Sequence, residues 1–69
     1  MRDPKRIEKY CDELKLIWEK VPDWRFGQLM MNTLGEVQNK VGNDLFFVED
    51  AKFFAAFAEV MNDMTGGNK

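Results

Sequence analysis

The sequence predicts a small all-α domain of three main helices, with an irregular segment between the second and third helices. Apolar residues recur at spacings of three and four in three separate stretches, which is the period of a helix with one buried face. Each stretch follows a helix-start signal, namely Asp3–Pro4, Asp23 or Glu49–Asp50. We therefore expect residues 1–64 to form a single helical domain and residues 65–69 to form a disordered tail.

The first helix is predicted to begin at Asp3, because its carboxylate can accept a free backbone N–H and the following proline needs no acceptor. Pro22 is expected to end this helix near Lys20. Cys11 lies in the middle of the apolar stripe and the chain contains no histidine, so we expect an inert thiol in the core. Leu16 falls off the stripe and is expected to be exposed. The stripe consists of Ile7, Tyr10, Cys11, Leu14, Ile17, Trp18 and Val21.

The second helix is predicted to begin at Asp23, which follows a proline and can cap a first turn. Its end is open between Leu34 and about Lys40, because an internal glycine there can either terminate a helix or weaken its interior. Gly27 is expected to allow close packing against the first helix near Trp18, since glycine inside a helix costs about 1 kcal/mol relative to alanine.

The run Leu45–Val48 has four apolar residues and no second strand with which to pair. We expect an extended segment that inserts Phe46 or Phe47 into the core. The third helix is predicted to begin at Glu49 or Asp50 and to end before Gly66. With Glu49 as the cap, the residues on either side of the helix start, Val48 and Phe53, stand at hydrophobic-staple positions.

Composition excludes several classes of function. The chain has 69 residues, with ten basic and twelve acidic side chains and a net charge of −2, which does not favour nucleic acid as a partner. One cysteine and no histidine provide neither a disulfide nor an ordinary zinc site, and no catalytic residue, cofactor or metal is predicted. The apolar runs are too short to span a membrane, and residues 1–4 contain no apolar signal region. A lone cysteine without a signal peptide indicates the cytoplasm.

Three segments carry a resemblance to known proteins. They are the run Pro22–Leu29, Asn32, and the run Phe46–Asp50, supported by Arg2–Pro4 and the pair Leu14 and Trp18. In these segments the chain resembles a family of small helical proteins of unknown function found in bacteria and their phages. The resemblance implies a compact helical domain of bacterial or phage origin. It implies no activity or cofactor, and no functional residue is transferred from it.

A polar set on the second helix is the candidate partner-binding site. Arg25, Gln28 and Asn32 share one helix face, where a guanidinium beside two amides can hold a carboxylate, a phosphate or a peptide backbone. Trp24 and Met31 are neighbouring candidates. The alternative is structural. Arg25 then pairs with Glu49 or Asp50, while Gln28 and Asn32 satisfy the backbone of residues 45–48.

The function that these features favour is a small protein-interaction module without catalysis, with an unknown protein partner or a second copy of the chain. The alternative is a helix-turn-helix-like nucleic-acid-binding regulator, formed by the first two helices joined through Val21–Pro22. Arg25 is the single cation between Lys20 and Lys40, which argues against this alternative.

Overall fold

The computed structural model describes residues 3–42 and 44–66, which form three α-helices and one short 3-10 helix. The predicted fold class is confirmed, and no strand occurs among these residues. The α-helices are α1 (Arg6–Trp18), α2 (Phe26–Val41) and α3 (Asp50–Thr65), and the 3-10 helix is Leu45–Phe47.

The start of α1 uses the predicted cap, but the regular helix begins three residues later. Asp3 Oδ1 accepts a hydrogen bond from the backbone N–H of Lys5 at 2.9 Å. The Arg6 and Ile7 N–H groups bond to the carbonyls three residues before them, at 3.2 and 3.1 Å, so a tight turn precedes α1.

The start of α2 differs from the prediction, because Asp23 does not cap it. Residues 21–24 form a turn in which the Trp24 N–H donates to Val21 O at 3.0 Å. The Trp24 carbonyl is taken by the indole N–H of Trp18 at 2.8 Å. The chain becomes helical only after Arg25, whose backbone is extended and whose N–H donates to Gln28 Oε1 at 2.8 Å. The side chain that caps this helix is therefore Gln28.

The C-terminal end of α2 lies within one residue of Lys40, the later of its two predicted ends. The helix runs through Gly35 to Val41 and ends at Gly42, whose φ of 73° is left-handed and suits glycine. The packing role predicted for Gly27 is wrong, because a Cβ atom at Gly27 or Gly35 would meet nothing within 4 Å.

The segment after α2 is a 3-10 turn rather than an extended insertion. Asp44 Oδ1 accepts from the Phe46 N–H at 3.0 Å and caps this turn. A 3-10 helix repeats every three residues, so Leu45 and Val48 lie on the same side and both pack against the core. Phe46 and Phe47 are left 85% and 76% exposed, which contradicts the prediction that one of them is buried.

The third helix begins with Glu49 as its N-cap, and Val48 and Phe53 on either side of the start both pack against the core. It ends at Gly66, where φ is 68°. Thr65 is part of α3, one residue beyond the predicted domain boundary, and its hydroxyl donates to Met61 O at 2.8 Å. The remaining tail positions, 67–69, lie outside the described residues.

The core lies between α2 and α3, which share the largest interface, whereas α1 packs mainly on α3. Within α1, Ile17 is the one buried residue. Thr33 is buried in the core and its hydroxyl donates to Leu29 O at 2.7 Å, so the polar group is satisfied. The buried apolar residues are Ile17, Leu29, Val37, Val41, Ala56, Phe57, Val60 and Met61.

Substitutions of Trp18 test how much this side chain stabilises the connection between α1 and α2. Its ring packs against the core and its N–H holds the Trp24 carbonyl. Trp18→Ala is expected to lower the free energy of unfolding by about 2–4 kcal/mol, less than the ~3–5 kcal/mol of fully buried aromatic truncations because Trp18 is only partly buried. Trp18→Phe retains much of the ring area and is expected to lose about 1 kcal/mol from the unpaired carbonyl. Urea denaturation measures both values. If both variants lost the same free energy of unfolding, the packing of the Trp18 ring would contribute nothing to stability.

Glycines 35 and 42 form a matched pair for a backbone test. Gly35→Ala is expected to raise the free energy of unfolding by about 0.5–1 kcal/mol, because it restricts the unfolded chain and meets no atom in the fold. Gly42→Ala is expected to lower it, because φ at Gly42 is 73°. Thermal unfolding at low protein concentration measures both, and a destabilised Gly35→Ala variant would contradict the open space seen there.

Candidate functional site

The predicted binding residues do not all share one surface. Arg25, Gln28 and Asn32 are exposed, and Met31 is 84% exposed. Trp24 is half-buried and packs against the core, so its ring is not a free binding group. Gln28 is partly committed to the Arg25 N–H. The structure therefore leaves Arg25, Asn32 and Met31 as free candidates from the predicted set.

Of the two acidic partners predicted for Arg25, Glu49 or Asp50, the structure assigns Asp50 to a different cation. Asp50 Oδ2 instead accepts from Arg6 Nε at 2.9 Å, which joins α1 to the start of α3. The predicted role of Gln28 in satisfying residues 45–48 is also not observed, because Asp44 caps that segment and Gln28 caps α2. The observed partners differ from the predicted ones. Asp50 bonds to Arg6 on another helix, whereas Gln28 and Asp44 each bond to a backbone N–H two or three residues away along the chain.

One exposed face of α2 consists of uncharged residues, and the exposed Glu36 and Lys40 of the same helix border it. All seven residues of this face are exposed, in a chain of which 32% of residues are charged. An exposed helix face in such a protein usually carries charged side chains. We define the outer face of α2 as Gly27, Gln28, Met31, Asn32, Gly35, Gln38 and Asn39.

Phe46 and Phe47 form an exposed aromatic pair on the 3-10 helix. Their ring centroids are 5.0 Å apart and the rings are nearly perpendicular, at 83°. The turn beneath them is fixed by the Asp44 cap and by Leu45 and Val48 against the core. The signal that could have revealed this pair is the period of three between Leu45 and Val48.

A shallow apolar groove lies along α1. Its volume is about 470 Å³, and Cys11, Leu14, Trp18 and Pro22 line it together with Lys15 and Glu19. A smaller depression of about 210 Å³ shares Cys11 and Leu14 and continues toward Arg6, Ile7 and Phe54.

The thiol of Cys11 is exposed, so the prediction that it lies in the core is wrong. Tyr10 stacks on Phe54 of α3 with ring centroids 4.9 Å apart, which orients one side of α1 toward that helix. The side that carries Cys11 borders the open groove. Apolar periodicity identified the stripe but could not show that only one edge of it is covered.

Within residues 3–42 and 44–66, no cluster of three cysteine or acidic side chains could hold a metal ion. In the same residues, no helix combines the length and the apolar character needed to cross a bilayer.

Comparison of the chain with protein-family models, with curated proteins and with solved structures gives no match. The resemblance to small helical bacterial and phage proteins therefore stays a prediction.

Double-mutant cycles test which cation holds Asp50. Arg6→Ala combined with Asp50→Ala is expected to give a coupling energy of about 0.5–1 kcal/mol, since both side chains remain more than one-third exposed. The matched cycle of Arg25→Ala with Asp50→Ala is expected to give coupling near zero. Chemical denaturation at low and high salt measures both cycles, and only the first coupling should fall as salt rises. A larger coupling with Arg25 would contradict the structure.

Proposed function

We propose that this protein is a small protein-interaction module whose main anchor is the Phe46–Phe47 pair. The observation that carries the proposal is the exposure of both rings, 85% and 76%, side by side on one turn, since adjoining exposed apolar side chains are typical of interaction sites. Large aromatic side chains at the centre of an interface supply much of its binding energy when a partner encloses them.

The anchor is held in place before any partner arrives. The Asp44 carboxylate caps the turn, and the Val48 N–H donates to Leu45 O at 3.2 Å. Leu45 and Val48 attach the turn to the core on the side opposite the rings. A fixed backbone and two rigid rings lower the conformational entropy lost on binding. These features support recognition of a partner that offers an apolar cleft.

The proposed module acts without catalysis and resides in the cytoplasm of a bacterium or of a phage-infected cell. An exposed lone thiol such as Cys11 suits a reducing compartment. The origin rests on the family resemblance of residues 22–29 and 46–50.

The alternative, a helix-turn-helix-like nucleic-acid-binding regulator, draws less support. The outer face of α2 carries no charge, and Lys40 lies 3.5 Å from the carboxylates of both Glu59 and Asp63. In addition, α1 packs mainly on α3 rather than on α2. Only this alternative requires affinity for double-stranded DNA that falls steeply as salt rises.

Removal of the anchor tests the interaction proposal. The free energy of unfolding of the double variant Phe46→Ala/Phe47→Ala is expected to lie within about 0.5 kcal/mol of the wild-type value, because neither ring is buried. Affinity capture from the cells that express the protein, followed by quantitative mass spectrometry, should show a protein retained by the wild type and lost by the double variant.

Leu16→Ala is the matched control, since Leu16 is an apolar residue 63% exposed on α1, away from the 3-10 helix. This variant should keep the captured protein. An identical set of captured proteins for all three forms would refute the Phe46–Phe47 pair as the anchor.

A further inference from the structure

The apolar stripe of α1 has a second edge that the rest of the fold leaves uncovered. On the covered edge, Tyr10 stacks on Phe54 and Ile17 is buried. The other edge follows a spacing of four, three and four residues, which is the spacing at which two helices pair along their length. Its first two residues are exposed and its last two are half-buried. We define the open edge of α1 as Ile7, Cys11, Leu14 and Trp18.

The open edge borders a groove that is long enough for a second helix. The groove of about 470 Å³ and the depression of about 210 Å³ share Cys11 and Leu14, and between them they follow α1 from Arg6 to Glu19. At a rise of roughly 1.5 Å per residue, this stretch is about 20 Å long. The length equals that of α1 itself, so α1 of a second copy fits along it.

Two residues of opposite charge flank the open edge. Glu8 and Lys15 are exposed and lie seven residues apart, so they occupy equivalent positions directly beside it. Neither forms an ion pair within residues 3–42 and 44–66. The other acidic residues on that side, Asp12 and Glu19, lie farther around the helix from the open edge. A helix placed on the open edge therefore meets one anion and one cation first.

An antiparallel arrangement of two copies matches the shapes of their open edges. Ile7 of each copy then lies level with Trp18 of the other. Cys11 of each copy lies level with Leu14 of the other. A smaller side chain thus meets a larger one at every level, which fills the space between the helices.

The same arrangement also matches the charges. Between the two levels of apolar contact, Glu8 of one copy faces Lys15 of the other, and the two-fold symmetry makes this ion pair twice. In a parallel arrangement Lys15 would face Tyr10, so neither charge would gain a partner. The flanking charges therefore favour the antiparallel arrangement.

We propose that two copies of this chain associate antiparallel through the open edge of α1, with a Glu8–Lys15 ion pair on each side of the two-fold axis. The inference goes beyond the proposed function, because it uses a different surface and a different partner. One edge of a 13-residue helix is smaller than the roughly 800 Å² per partner of a standard interface. The dimer is accordingly weak, with a dissociation constant on the order of 100 µM.

Sedimentation equilibrium of the full chain from about 10 µM to about 1 mM, with a thiol reductant present to exclude disulfides, tests the proposal. The wild type should pass from monomer to dimer over this range. Cys11→Lys places a charge in the middle of the contact and should weaken association at least about tenfold. Leu16→Lys introduces the same charge on the opposite side of α1, at a residue 63% exposed, and should leave the dimer unchanged.

Exchange of the flanking charges tests the register. Glu8→Lys and Lys15→Glu should each weaken self-association about three- to tenfold at low salt, because like charges then face each other twice. An equimolar mixture of the two variants should recover association, since each supplies the charge that the other lacks. Residues seven apart do not contact each other within one helix, so an effect on folding would not be reversed by mixing.

Four results would overturn the proposal. The first is a wild type that stays monomeric at about 1 mM, the top of the range. The second is a dimer that Cys11→Lys leaves unchanged. The third is a mixture of the Glu8→Lys and Lys15→Glu variants that associates no better than either alone. The fourth is a dimer lost in Phe46→Ala/Phe47→Ala, which would assign self-association to the aromatic pair.

Discussion

The packing of α2 against α3 is the interaction on which the rest of the structure depends. The fully buried side chains all come from these two helices, with Leu29, Val37 and Thr33 on α2 and Phe57 and Met61 on α3. In so small a domain this one interface must supply most of the hydrophobic stabilisation. The 3-10 helix that connects α2 and α3 is in turn held by Leu45 and Val48 against the same core.

The first helix is attached to this pair rather than integrated with it. It contributes Ile17 to the core, stacks Tyr10 on Phe54, and joins Arg6 to Asp50. One edge of its apolar stripe is thereby left along an open groove, where Cys11 is exposed. A helix with one covered edge accounts for the exposure of two stripe residues, Cys11 and Ile7, the latter being 55% exposed.

The sequence by itself determined the three α-helices, the start of α3 to within one residue, and the exposure of Leu16. These properties depend on local periodicity and on backbone groups a few residues apart. Tertiary structure alone decided that Cys11 is exposed, that Phe46 and Phe47 face outward, and that Asp50 pairs with Arg6. The physical reason is that periodicity shows which face of a segment is apolar, whereas the placement of the other elements decides whether anything covers that face.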